Sequence, residues 1–135
     1  MTDAELLAEA EAARAAAYAP YSNFQVGAAL LADDGGVQRG CNVENASYPA
    51  GICAERTAIA AAVASGRRRF VAIAVAGPDG VAITPCGICR QVLSEFSPDG
   101  QLRVIARDAS GAIRTTPIAA LLPGAFGPDA LAAGR

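Results

Sequence analysis

The sequence predicts a three-layer α/β/α sandwich around a mixed sheet of about five strands. Three observations predict it. The elements follow the order helix, hairpin, helix, strand, helix, strand, strand, and helical crossovers between strands place helices on both faces of a sheet. Residues 71–76 (VAIAVA) are apolar throughout, as in a strand covered on both faces. The chain has 135 residues, 53% of them hydrophobic, enough for one core and for a single domain over 1–135.

Each element has a local cause. Thr2-Asp3-Ala4-Glu5 is a capping box, in which the threonine oxygen and the glutamate each satisfy a free backbone N–H. The alanine- and leucine-rich run behind it is predicted helical to about residue 17, where Tyr18-Ala19-Pro20-Tyr21 breaks it. Residues 24–32 read as a strand, Asp33-Asp34-Gly35-Gly36 as a hairpin turn, and 37–43 as the returning strand. Residues 44–51, with Pro49, form an irregular loop. A second helix is expected over 52–65 and is stopped by Gly66. The doubly covered strand 71–76 leads into the turn Gly77-Pro78-Asp79-Gly80, and Pro85 precedes a third helix over 87–96. Ser97-Pro98-Asp99-Gly100 turns the chain into a strand over 101–107, with a short last strand over 113–115. Thr116-Pro117 opens a helical turn to residue 121, and the tail from Pro123 is predicted irregular.

Composition narrows the function. Net charge is -2, and the basic run Arg67-Arg68-Arg69 sits at a helix end, where it complements the dipole. A nucleic-acid strand is therefore not an expected partner. Aromatics are 5% of the chain and tryptophan is absent, so the core is built from small side chains, which favours association of subunits. The N-terminus has no basic stretch followed by an apolar segment, and no run is long enough to span a bilayer. The expectation is a cytoplasmic, reducing compartment without membrane contact, where cysteines serve as ligands or catalysts rather than disulfides.

The chain contains no histidine, so a metal site must be built from thiolates and carboxylates. Cys53-Ala54-Glu55 and Pro85-Cys86-Gly87-Ile88-Cys89 form the C-x-E plus P-C-x-x-C pattern of zinc nucleobase deaminases, with cysteine where many carry histidine. Cys86 and Cys89, three apart on a first helical turn, put both sulfurs on one side. Cys53 starts another helix, and helix N-termini stabilise thiolates. Three thiolates leave a fourth tetrahedral position for water, which Glu55 can deprotonate. Three thiolates and one Zn²⁺ sum to -1, so a nearby cation is expected on a ligand sulfur: Arg56 first, Arg90 as the alternative. Two other readings stay open here. Cys86-Gly87-Ile88-Cys89 also suits a thiol oxidoreductase, although Pro85 and the separate Cys53-x-Glu55 weigh against it. Cys41 could close a structural four-thiolate site, although a buried unliganded thiol on a strand is the better expectation.

In these motifs and their order, the chain resembles the small homotetrameric zinc-dependent cytidine deaminases. The matching segments are YAPYSNFQVGAAL (18–30), NVENASYP (42–49), CAERTA (53–58), PCGICRQVL (85–93) and LLPGAF (121–126). The departures are alanine richness and a few residues beyond the last aromatic. The resemblance implies hydrolytic deamination of cytidine and 2′-deoxycytidine in pyrimidine salvage, with one zinc per subunit. It implies Cys53, Cys86 and Cys89 as zinc ligands and Glu55 as the proton shuttle. Asn42 and Glu44 correspond to the pair that binds the ribose hydroxyls; being two apart, they share a face of an extended segment. Phe24 corresponds to the aromatic wall beside the base, the Ala54 N–H to the donor for the pyrimidine O2, and the Thr84 carbonyl to the acceptor for the 4-amino group. Ala46 and Tyr48 would reach the ribose from a neighbouring subunit, and Phe126 would cover the base from another. Simple core packing for Phe24, a docked tail for Phe126 and an interface role for Tyr48 are the alternatives. A deaminase of a related cytosine nucleoside such as blasticidin S, or a zinc-stabilised binding protein without catalysis, are the competing functions. The 42–46 segment speaks for cytidine and the intact Glu55 for catalysis.

Overall fold

Thr2 opens the first helix as its sequence demands. Its Oγ1 accepts from the Glu5 N–H at 3.1 Å, and the Glu5 carboxylate accepts from the Thr2 N–H at 2.7 Å. This helix is α1 (Asp3–Ala13) of the computed structural model, which describes residues 1–135. The strands are β1 (Gly27–Ala32), β2 (Val37–Cys41), β3 (Phe70–Ala76), β4 (Arg103–Arg107) and β5 (Ile113–Pro117). The remaining helices are α2 (Ala54–Ala64), α3 (Gly87–Glu95), α4 (Ile118–Leu121) and α5 (Pro128–Ala133). The sheet order is β2-β1-β3-β4-β5, parallel only between β3 and β4. This is the mixed five-stranded α/β fold that the sequence predicts.

β3 shows why there are three layers. Ile73 and Val75 point to one face, with Leu30, Val104, Ile59 of α2, Leu93 of α3 and Ile118 of α4. Ala72, Ala74 and Ala76 point to the other, against Leu6, Leu7 and Ala10 of α1. Alanine on that face lets α1 lie close to the sheet. Glycine does the same for α2: a Cβ at Gly40 of β2 would stand 2.5 Å from both the Ala54 carbonyl and the Ala58 nitrogen. The first turn of α2 thus rests directly on β2.

The boundaries differ from expectation in instructive ways. The first helix tightens into a 3₁₀ turn (Arg14–Ala16) before Ala17, because the chain must swing Tyr18 onto the Asn42–Glu44 segment. There Tyr18 N–H donates to the Asn42 carbonyl (3.0 Å), and Glu44 N–H to the Tyr18 carbonyl (2.8 Å). The first strand starts at Gly27, not at Phe24. Before it, the Asn42 side chain replaces part of the ladder: Nδ2 donates to the Phe24 carbonyl (2.8 Å), and Oδ1 accepts from the Val26 N–H (2.9 Å). The second strand ends at Cys41, and α2 begins only after Cys53. The last strand runs on to Pro117 along the sheet edge. The tail expected to be irregular carries α5, with proline at its first position, Gly127 before it and Gly134 after it. Cys41, expected buried, is half-buried.

Candidate active site

Two helix starts converge on one point. Cys53 is the N-cap of α2 and Cys86 the N-cap of α3, and neither side chain caps its own helix. Both sulfurs are therefore left free to face each other. Cys53 Sγ lies 3.8 Å from Cys86 Sγ, and Cys86 Sγ lies 3.4 Å from Cys89 Sγ. All three lie within 4.8 Å of one another, and Cys41 is not among them. A tetrahedral zinc with Zn–S bonds of ~2.3 Å spaces its sulfurs ~3.8 Å apart. The donor set and the spacing fit zinc. Cys86 is exposed and Cys89 fully buried, so the cluster is open on one side only.

Crowding makes the acidic groups of this site perturb one another. The Cys53 thiol is pushed down to about 5, by its hydrogen bond from Cys89 first and then by Arg56 and Cys86, against the effect of burial. The Cys89 thiol is pushed up by its bond to Cys53, by burial and by the charge of Glu55. Arg56 Nη2 lies 3.5 Å from Cys53 Sγ, and its Nε is buried without an acceptor. Glu55 is 4% exposed. Burial holds its carboxyl above the usual range, the Cys53 charge adds to this, and its own backbone N–H opposes it.

Glu55, Cys53, Ala54 and Cys86 face a cleft of about 250 Å³. Phe24, Asn42, Glu44 and Thr84 line the same cleft, together with Ser22, Val26 and Ile83. A larger groove of about 550 Å³, between the end of α3 and the tail, is lined by none of the residues singled out from the sequence. Chemistry rather than size marks the smaller cleft. Glu44 is already engaged there: its carboxylate accepts from the Tyr21 N–H (3.0 Å), the Ser22 N–H (3.1 Å) and the Ser22 hydroxyl. The Asn42 amide is likewise committed to Phe24 and Val26. Both side chains brace the 21–26 segment besides facing the cleft.

Residues 1–105 match the family model described as the cytidine and deoxycytidylate deaminase zinc-binding region. The chain belongs to this deaminase family. A cytidine deaminase of Sporosarcina psychrophila is 49% identical over 127 residues, 94% of this chain and 93% of the relative. The crystal structure of cytidine deaminase from Burkholderia pseudomallei superposes with a TM-score of 0.87 at 52% identity, covering 93% of this chain and 100% of that one. That of the Mycobacterium tuberculosis cytidine deaminase gives 0.81 at 41% identity, covering 94% and 98%.

Within this deaminase chain, three of the residues expected to meet the substrate stand apart from the cleft. Ala46 is exposed and lines none of it. Tyr48 is 76% exposed, packs edge-on against Tyr21 with ring centroids 6.0 Å apart, and lines a neighbouring hollow that shares Ser22 and Glu44 with the cleft. Phe126 is 60% exposed, with its carbonyl held by Gln91 Nε2 at 2.9 Å. Arg90 points away from the sulfurs, to the oxygens of Pro85, Thr84 and Leu121. Sequence reasoning missed Ser22, Val26 and Ile83 as cleft residues. Ser22 sits inside a quoted motif, but nothing in its spacing signals a bond to Glu44. Val26 and Ile83 read as ordinary apolar residues.

Proposed function

We propose that this protein is a zinc-dependent cytidine deaminase, converting cytidine and 2′-deoxycytidine with water into uridine, 2′-deoxyuridine and ammonia. The observation that carries the reading is a three-cysteine cluster that opens, through Cys53 and Cys86, on the same cleft as the buried Glu55 carboxylate. Cys53, Cys86 and Cys89 would hold the zinc. When bound, zinc supplies Lewis-acid activation of water at neutral pH.

The residues divide the remaining work. Burial gives Glu55 a raised proton affinity, which suits a group that accepts a proton, passes it to the ring N3 and delivers another to the departing amine. Arg56 offsets the negative charge of the thiolates through Cys53. The Ala54 N–H, in the first turn of α2, is a free donor for the pyrimidine O2. The Thr84 carbonyl accepts the amino group, and Phe24 flanks the base. Glu44 and Asn42 meet the sugar hydroxyls from the braced 21–26 segment. The exposed Tyr48, Ala46 and Phe126 fit roles in neighbouring subunits of a homotetramer whose sites are shared. A free nucleoside needs no basic groove, and the lining of this cleft offers none. A cytoplasmic salvage role agrees with the free thiols, and no helix is long and apolar enough to cross a membrane.

The test joins two measurements on one preparation: zinc content, and the ultraviolet change as cytidine becomes uridine. About one zinc per subunit with turnover is expected. Stoichiometric zinc without turnover of cytidine, or preference for blasticidin S, would overturn the assignment.

A further inference from the structure

One wall of the cleft has no secondary structure to hold it. Residues 82–85 link the turn after β3 to the start of α3. Main-chain hydrogen bonding stops at Val81 N–H to the Pro78 carbonyl and resumes at Arg90 N–H to the Cys86 carbonyl; residues 82–85 take part in none. Ile83 and Thr84 face the cleft on one side and a second hollow of about 240 Å³ on the other, so the wall is one chain thick. Ile83 packs partly against the core, and Pro85 is buried.

The hydrogen bonds that reach this wall come from one side chain. Arg90 Nε donates to the Pro85 carbonyl (2.7 Å) and Nη2 to Thr84 Oγ1 (3.0 Å). Nη1 donates to the Leu121 carbonyl (2.8 Å) at the end of α4. A planar guanidinium can serve three acceptors in fixed directions, whereas an ammonium is a point charge. Arg90 follows Cys89 on α3, so the wall is referenced to the same helix that carries two of the sulfurs. The Thr84 carbonyl accepts no hydrogen bond within the protein and stays available.

We propose that Arg90 is the positioning residue of the cleft wall: by clamping Thr84 and Pro85 to Leu121 it fixes the Thr84 main chain against which the base of the nucleoside docks. This rests on the cytidine deaminase reading above. The clamp touches no sulfur and no atom of Glu55; it reaches the base through Thr84, and its second anchor, the Pro85 carbonyl, lies one peptide before Cys86. Loosening it is expected to misplace the base while all three sulfurs remain to hold zinc.

The test uses the zinc-loaded enzyme. R90A is expected to keep its zinc and to raise KM for cytidine on the order of 10²-fold, with a smaller change in kcat. Added guanidinium should restore part of the loss, and R90K should restore little. Independently of turnover, backbone order parameters at Ile83 and Thr84 should fall from ~0.85 toward ~0.6. Unchanged order parameters overturn the proposal whatever the kinetics, as does loss of zinc in both Arg90 variants. If R90A does not fold, R90K and Thr84→Val carry the same measurements, and wild-type values in both overturn it. Failure of the deaminase reading is separate: wild-type protein would leave cytidine unchanged while the order parameters at the wall still drop.

Discussion

Glu55 is a carboxylate kept almost out of water at the start of a helix, and its neighbours are sulfurs. Burying a charge is costly unless it is paired, so this residue lowers the stability of the metal-free chain for the sake of chemistry. Glu55→Gln should keep the zinc, reduce kcat by about 10²–10⁴-fold, and raise the melting temperature of the metal-free protein. Calorimetry and steady-state assays check this, and near wild-type turnover would sink the proton-shuttle role. Glu44 is the opposite case. The Ser22 hydroxyl, then the Ser22 and Tyr21 N–H groups, hold its carboxyl below the usual range. A carboxyl lowered by folding contributes stability that is full above its unfolded value of ~4.3 and is lost as pH falls through the lower folded value. The melting-temperature gap between wild type and Glu44→Gln should therefore be widest near pH 7 and close as pH drops below about 4. A gap independent of pH would remove the ionised Glu44 from the account.

At the scale of elements, the site depends on how closely α2 lies on β2. Thr57 Oγ1 donates to the Cys41 carbonyl (2.8 Å) and accepts from the Cys41 N–H (3.0 Å), tying the first turn of α2 to the end of β2. Gly40→Ala would push a methyl into that turn, and with it Cys53 and Glu55. The expected cost is ~1–3 kcal/mol in urea unfolding, with faster loss of zinc to a chelator. Wild-type values for both would show that the contact has slack. The same region shows what the sequence could and could not reveal. Helices, strands and their order follow from periodicity, caps and turn residues. Cys53, Glu55, Cys86 and Cys89 stand out because ligand spacing is local. The start of β1 does not, because a side chain from residue 42 supplies what looks like ladder bonding at 24–26. Arg90 stays ambiguous for the same reason: its acceptor Leu121 is 31 residues away. Such choices between two acceptors are made by tertiary contacts that no window of sequence contains.

The whole molecule has more surface than its mass calls for. A compact monomer of 13.6 kDa exposes about 6,600 Å² by the usual area–mass relation; this chain exposes 7240 Å². Of its aromatics, buried Phe70 and half-buried Phe96 meet edge-on with ring centroids 5.5 Å apart, whereas Tyr18, Tyr21, Phe24, Tyr48 and Phe126 lie exposed. Bulky rings left on the surface of an alanine-built fold are what an interface needs and a monomer does not. Light scattering should give a mass of four subunits; one subunit at micromolar concentration would refute the shared-site arrangement. That arrangement makes a sharper demand. A Glu55→Gln subunit carries an intact Phe126, and a Phe126→Ala subunit carries an intact Glu55. If Phe126 serves a neighbour's cleft, refolding the two variants together must create some clefts with both residues. Activity should then rise above the sum of the separate variants. If each subunit uses its own Phe126, no such cleft can form, and the mixture should stay at that sum.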